Sequence, residues 1–521
     1  MINMANILLH SPALIVGIPL LMAFAVPILN RIINEKLRNI IIILSLAITF
    51  ILIGFLTMEV LSNGVLVYVF GAESTSLTLP SGYDVPIRII FEIDALSVFM
   101  AITAITVVFI GVIYSWAFMK KETGLDHYYS LIFLLTAGML GMAFTGDMFN
   151  LFVFLEITSI AACSLIAFRT IRGETAEAAF KTLIVYAASA AMFLFAVALL
   201  YGQYDALNIG ILASMMQYNH LDMLALGLFI VALALKGGAV PMHMWVSDAY
   251  AEAPSPISLI FVINTSVSLC ALFRICFTLY GVTLNTELIG WIIIILGVLS
   301  MFIGVTMALV QKSIKRLMAY HSISQVGYIL LGVGVGLAVL GTPQMEEYGI
   351  GAMNGGLFHL INNALYKGLL FLTAGAIIYR TEIRNLDELC GLAHNMKYTA
   401  IFFIIGAAAI AGLPPFNGFV SKLIIYETVY KFNPMLSIIA IVVSILTLAS
   451  FVKVFQSAFL GPKLKKFENV REVPASMLIA MFILAIIIIL IGIFPDIIIE
   501  NLIEPATYAL VNQDTYISAI K

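Results

Sequence analysis

A lysine closes the apolar run Ala232-Leu233-Ala234-Leu235-Lys236, and Gly237, Gly238 and Pro241 follow within five residues. An ammonium at bilayer depth is tolerated only where it faces protein or water. Proline removes a backbone donor and clashes with the preceding turn, so a helix breaks there. Broken backbone inside a membrane is confined to places buried in protein or lining a wet cavity. Buried charge and helix break coincide at Lys236, the mark of an ion-handling site in a transporter-like bundle. Glu156 lies eight residues past Met148, about 12 Å along a helix and so inside a hydrocarbon core ~30 Å thick. A carboxylate and an ammonium on neighbouring helices keep each other charged. Separating them leaves Lys236 ready to release a proton. The alternative is a static ion pair locking two helices. Buried ion pairs are poor stabilisers, which favours the proton switch.

His359, Asn363 and Lys367 are spaced i, i+4, i+8 and share one helix face over about 12 Å. Histidine titrates near neutral pH and lysine does so when desolvated. Such a row suits a water-bridged proton wire, or else polar glue between helices. Lys422, beyond Pro414-Pro415, is the next stop or a lysine snorkelling to the interface. His321 is either a relay or a hydrogen-bonded helix end, and its neighbours Lys315 and Arg316 read as topology anchors. Glu177 and Lys181 have the i, i+4 spacing of a local ion pair. Asp147 reads as a cap or rim charge.

The elements that must position these residues are membrane helices. Of 521 residues, 62% are hydrophobic and 11% charged, where a soluble chain carries roughly a quarter. The fold class is an all-α polytopic membrane protein. Apolar runs recur near 12–29, 39–61, 94–115, 128–145, 148–168, 178–200, 222–241, 255–280, 288–310, 320–341, 352–378, 398–432, 435–460 and 474–495, about fourteen transmembrane helices. The overlong 398–432 run reads as one broken helix. Basic residues alternate between loops: Arg31, Lys36 and Arg38 on one side, then Lys120 and Lys121, then Arg169 and Arg172, and so on to Lys463–Arg471. Glu73, Asp84, Asp205, Asp222, Glu346 and Glu347 fall on the other side, with Arg88 and Lys431 as exceptions. The positive-inside rule then puts both termini outside a cytoplasmic membrane. The N-terminus lacks a basic n-region, so the first run reads as a retained span.

The chain divides into three N-terminal helices (1–120), a five-helix unit (121–285, with Glu156 and Lys236), a second five-helix unit (286–462, with Lys367 and Lys422) and a last helix with a tail (463–521). Each unit has its interrupted helix in fourth place. Five is odd, so the two units form inverted repeats, the mark of pseudo-symmetric transporters. The segment 62–92, with Leu77 and Leu79, suggests a small hairpin cap, and the tail 496–521 a surface segment. Among the four cysteines no C-x-x-C pair occurs, so no iron–sulfur cluster, zinc or other metal is expected in this chain. It shows no nucleotide loop or flavin motif. No cofactor and no nucleic-acid partner is expected.

The chain resembles the antiporter-like subunits shared by respiratory complex I, Mrp-type sodium/proton antiporters and energy-converting membrane-bound hydrogenases. The resemblance rests on Gly146-Asp147-Met148 through Glu156, Leu235-Lys236 through Pro241 and Trp245, and Ala253-Pro254-Ser255-Pro256-Ile257-Ser258. It rests also on Lys315-Arg316-Leu317-Met318-Ala319-Tyr320 with Ser324-Gln325, His359 through Lys367, and Gly412-Leu413-Pro414-Pro415 through Lys422. It implies a hydrated polar axis in which Glu156 and Lys236 form a first pair, Lys367 is central and Lys422 distal. It implies further antiporter-like subunits and a redox module as partners, with protons, or protons in exchange for sodium, as the transported ions. Ser266 stands where many relatives carry a lysine or histidine, eight residues before Arg274, and Asn363 where some carry a second histidine. The leading expectation is a proton-translocating subunit moving protons along Glu156, Lys236, His359, Lys367 and Lys422, with Lys181, His321, Ser266 and Asn363 accessory. A non-conducting scaffold subunit and a stand-alone secondary transporter are the alternatives.

Overall fold

With no water in the hydrocarbon to satisfy it, backbone crossing a bilayer must bond to itself, and helices do this within each segment. The computed structural model describes residues 9–71, 89–169, 172–283 and 285–520. Among them, twelve continuous helices are long and apolar enough to cross a membrane. These include α1 (Ser11–Ile32), α2 (Glu35–Asn63), α3 (Ala95–Phe118), α4 (Leu125–Phe144), α5 (Met148–Ile166) and α6 (Gly173–Tyr204). After the short α7 (Ile209–Met215), the run expected at 222–241 is two helices, α8 (His220–Lys236) and α9 (Met244–Glu252). The break falls at Lys236 itself, and the second half extends eleven residues beyond the expected end. Then come α10 (Ser255–Phe273, continued as a π-helix over Arg274–Leu279), α11 (Thr286–Leu309), α12 (Ile314–Ala338) and α13 (Ile350–Thr381). The overlong run is again two helices, α14 (Lys397–Ala411) and α15 (Asn417–Phe432). α16 (Pro434–Ala458) and α17 (Ala475–Ile493) follow.

The three most enclosed spans are α10, α12 and α13. α10 with its π turn and α12 are buried over their whole spanning windows, and α13 over 94% of its own. α1 and α17 are at 39%, their remaining surface being aliphatic (Leu21, Phe24, Ile28; Ile479, Phe482, Leu490). α12 reaches the centre by close approach to α11. A Cβ on Gly327 would lie 2.4 Å from the Gly297 carbonyl oxygen, and one on Gly297 2.9 Å from that of Gly327. Only glycine permits this backbone contact, the packing device of small residues in membrane helices.

The two ends of the segment 62–92 pair as an antiparallel ribbon, β1 (Leu66–Val69) with β2 (Ile90–Ile93), in register Leu66↔Ile93 to Val69↔Ile90. Glu73, Asp84, Arg88, Leu77 and Leu79 lie outside the described residues. Two sequence expectations change. Asp222, taken for an external loop charge, is fully buried. It caps the start of α8 with Asn219 and accepts a hydrogen bond from the Tyr204 hydroxyl at 2.7 Å. The tail does not merely lie on the surface. After α18 (Pro495–Ile498) it forms α19 (Glu504–Val511) and α20 (Gln513–Ile520), which bury Leu510, Tyr516 and Ile520. The Tyr516 ring stacks beneath the Arg274 guanidinium at 4.8 Å.

Candidate functional site: a row of buried lysines

Lys236 is the last residue of α8, and Gly238 turns the chain with φ +74°. The backbone groups freed by this break find partners. Trp245 Nε1 donates to the Leu235 carbonyl at 3.0 Å, and Val240 N donates to Ser300 Oγ at 2.9 Å. The Lys236 ammonium, 1% exposed, crosses to α5. It donates to the Leu155 carbonyl at 2.5 Å and to Thr158 Oγ1 at 3.1 Å, above the Tyr186 ring. Among the described residues it makes no ion pair within 4.0 Å. The expected direct Glu156–Lys236 pair is therefore not formed. Glu156 is half-buried, one residue beyond the carbonyl that holds the lysine, and accepts from Ser159 Oγ at 3.3 Å. The main-chain oxygen and Thr158 occupy the ammonium instead.

On α13, His359, Asn363 and Lys367 share a buried face, but no hydrogen bond joins one to the next, and His359 and Lys367 turn to other neighbours. His359 joins Ser421 Oγ of α15 through Nδ1 at 3.0 Å. Its Nε2 joins Gln325 Oε1 of α12 at 3.1 Å and the Tyr366 hydroxyl at 3.1 Å. Because Gln325 Oε1 only accepts, Nε2 carries the proton in this arrangement and Nδ1 accepts from Ser421. Lys367 donates to the Met318 carbonyl of α12. Asn363 is buried, and its Oδ1 has no partner.

Lys422 follows the second break, where Gly412 has φ +76°. It is 1% exposed, so it does not snorkel. Its ammonium donates to the Ile410 carbonyl at 2.7 Å and to Ser444 Oγ at 3.0 Å, and lies 4.8 Å from the Tyr328 ring centre. That ring also faces His359, with centroids 5.3 Å apart. A cavity of about 220 Å³ lined by Gly412, Lys422, Tyr426 and Ser444 adjoins it.

The accessory residues divide. His321 is buried and reaches Ser450 Oγ at 2.8 Å, with Nδ1 unpaired. Ser266 bonds its own helix, donating to Val262 O at 2.9 Å. Lys181 is half-exposed, paired with Glu177 at 2.7 Å and Asp248 at 3.1 Å, a surface cluster that Arg316 completes. Lys315 departs from its reading as an anchor. It is 3% exposed and donates to the Ala253 carbonyl at the end of α9. One turn along α12 is Met318, whose carbonyl holds Lys367, so Lys315 links the end of α9 to the turn that holds Lys367. Gln325, Tyr366, Ser421, Ser444 and Thr158 were also missed. Gln325 had a usable signal, its i+4 spacing from His321. The hydroxyls had none.

The model for the transmembrane part of NADH:quinone oxidoreductase and Mrp antiporter proteins matches residues 145–447, and that for the N-terminus of complex I chain 5 matches 80–129. The chain is 31% identical over 527 residues to NADH-quinone oxidoreductase subunit N of Desulforudis audaxviator, covering 95% of this chain and 98% of that one. It is 30% identical to a Na(+)/H(+) antiporter subunit of Alkalihalophilus pseudofirmus, over 84% and 85% of the two. It superposes on a chain of the membrane-bound sulfane sulfur reductase, an archaeal respiratory membrane complex. That match has a TM-score of 0.86 and 28% identity, and covers 98% of this chain and 100% of that one.

Proposed function

The chain belongs to the NADH:quinone oxidoreductase/Mrp antiporter transmembrane family, and from that premise we propose that it moves protons across a membrane along Lys236, Lys367 and Lys422. Its relatives are subunits of multisubunit membrane complexes, and in this reading it works as one such subunit. Further antiporter-like subunits and a redox module are its partners there. It sits in the cytoplasmic membrane with both termini outside, and sodium exchange is one form its activity takes.

One observation carries the reading. Three lysines lie at 0–1% exposure, and each ammonium is held by a main-chain carbonyl, with no carboxylate in ion-pair contact among the described residues. Burying an ammonium without a counter-ion is costly, and such groups mark ion pathways. A lysine held by neutral oxygens alone keeps an accessible neutral form, as proton transfer requires. Glu156, beside the Leu155 carbonyl, acts as the charge that biases Lys236. Lys315 supplies the titratable link that Ser266 does not.

The bond between Ser266 and Val262 favours the second reading, a non-conducting scaffold, because it leaves no titratable group at the middle of α10. Lys236→Ala in the intact complex separates the two. Proton movement into membrane vesicles, followed with a pH-sensitive dye, is expected to fall at least about 10²-fold, as when a positioned proton-transfer group is removed. Wild-type proton movement in a fully assembled K236A complex would establish the scaffold.

A further inference from the structure

The charges that the row of lysines does not use gather on the opposite side of α10. Asp94 caps α3, its Oδ1 accepting from Ser97 N and Ser97 Oγ, each at 3.0 Å. It also receives both terminal nitrogens of Arg274: Nη2 reaches Oδ1 at 2.6 Å and Nη1 reaches Oδ2. Both residues are buried. Arg274 opens the π-helical turn Arg274–Leu279, a local widening often found at functional sites.

This pair stands between two cavities. One, of about 170 Å³, runs along Val60, Asp94, Tyr508, Asn512 and Tyr516. The other, about 20 Å³ and lined by Ser97, Thr145, Val267, Cys270 and Arg274, suits a single water. Its Val267 is the neighbour of Ser266. Leu269, between them and Arg274, packs so closely on the first helix break that a Cβ on Gly237 would lie 2.5 Å from its Cδ2. Five residues of α10 separate Leu269 from Arg274, about 7 Å of helix.

Beside the pair lies a buried carboxyl group. Glu92 on β2 is 1% exposed, and among the described residues neither of its oxygens has a hydrogen-bond partner. The Tyr516 hydroxyl and the Asn208 amide face it, and both of those polar atoms are unpaired as well. Gly146 makes its room: a Cβ there would lie 2.5 Å from Oε2. Burial pushes the acid up to about 8, with Tyr516, Arg274 and Asn208 pulling it down and Asp94 pushing it up. Asp147, bridged to Asn208 through the backbone, is the remaining carboxylate nearby.

We propose that Glu92 is a proton-exchanging group and the Asp94–Arg274 pair its gate, together closing a second polar path that leads from the cavity beside α20 to the one-water cavity beside Ser97 and Thr145. The inference rests on the proton-translocation reading above. When Glu92 passes its proton by way of the Tyr516 hydroxyl, whose residue lines the larger cavity, its carboxylate competes with Asp94 for Arg274. The guanidinium, which stays charged throughout, moves toward Glu92 and opens the way to the one-water cavity. Reprotonation of Glu92 returns Arg274 to Asp94. α20 holds the gate shut from outside, with Tyr516 under Arg274 and Gln513 Nε2 donating to the Thr278 carbonyl at 2.8 Å.

The test uses the full chain in its native complex. Glu92→Gln keeps the shape of the neutral acid and removes the proton. Proton movement into vesicles is expected to slow at least about tenfold, the lower reach of proton transfer by a positioned group, and to lose its inflection near pH 8; Glu92→Asp restores part of both. Infrared difference spectra of the wild-type complex should show a protonated-carboxyl band that disappears on raising the pH through about 8 and is absent from E92Q. An E92Q complex with wild-type rate and pH profile overturns the gate. So does a wild-type complex lacking such a band, which decides the matter even if E92Q fails to assemble. Measured alongside, K236A tells which inference has failed: a K236A complex that is dead beside a normal E92Q complex removes only the gate, whereas an active K236A complex removes the reading beneath it.

Discussion

The two broken helices solve one problem in opposite ways. Each break frees carbonyls that the helix no longer satisfies. In α8–α9 those are met from within the unit by Trp245, and the lysine that ends α8 is sent across to α5, to the carbonyl preceding Glu156. In α14–α15 the lysine itself satisfies the break, through Ile410 O, while Ser444 takes the Ala411 carbonyl at 3.0 Å. The first lysine is thus tied to a neighbour that carries an acid. The second is tied to its own helix and opens on a cavity. The difference lies in their surroundings: Lys236 sits beside a charge on another helix, and Lys422 sits within its own break.

Glycine substitutions break this comparison most severely. A Cβ on Gly418 would lie 1.9 Å from the Ala409 carbonyl oxygen, backbone against backbone across the second break, whereas one on Gly237 meets the movable end of Leu269. Gly418→Ala is expected to cost about 3 kcal/mol of stability and Gly237→Ala about 1 kcal/mol, read as loss of thermal stability in the detergent-solubilised protein. Equal losses would mean the two breaks are packed alike. Asp147, which caps α5 by accepting from Asn150 N at 2.6 Å, sharpens the first half next. Burial pushes its carboxyl up to about 6. The folded chain then holds this proton more tightly than the unfolded one, so its contribution to stability is fullest below pH 3.8 and falls as pH rises through about 6. Asp147→Asn keeps the cap and removes the charge, and should stabilise the protein at pH 7 by on the order of 1–3 kcal/mol. No change in melting temperature between D147N and wild type at pH 7 would contradict this. The smallest effect separates the lysines' hydroxyl partners. Thr158→Val should slow proton movement about fivefold, the equivalent of ~1 kcal/mol. Ser444→Ala should stay within about twofold, because Lys422 keeps the Ile410 carbonyl of its own broken helix at 2.7 Å. The reverse order would remove the distinction drawn above.

What the sequence made legible follows from range. The spans and both breaks are written locally, in apolar runs ended by Gly237-Gly238 and by Pro414-Pro415. The burial of Lys236, Lys367 and Lys422 follows from the length of those runs. Their partners were not legible, because they are carbonyls of Leu155, Met318 and Ile410, and a carbonyl leaves no mark in composition. Reasoning from side chains alone paired Lys236 with Glu156, the nearest opposite charge, and drew His359, Asn363 and Lys367 as a wire along one helix. The packing sends His359 to α15 and α12 and Lys367 to α12, and leaves the Asn363 Oδ1 without a partner. Lys315 sits in a basic cluster that has the look of a membrane-edge anchor, and only tertiary contact with α9 reveals it as interior. Asp94 and Arg274 are 180 residues apart, beyond any local pattern.

Because each ammonium grips the polymer itself, part of its address does not depend on which side chains surround it. A survey that changes one residue at a time will leave the Leu155, Met318 and Ile410 oxygens in place and so under-report what holds the row. Replacing single amide linkages with esters, which weakens one carbonyl without touching a side chain, would expose it. It also means that related chains are free to drift widely around these three points while the lysines stay where they are.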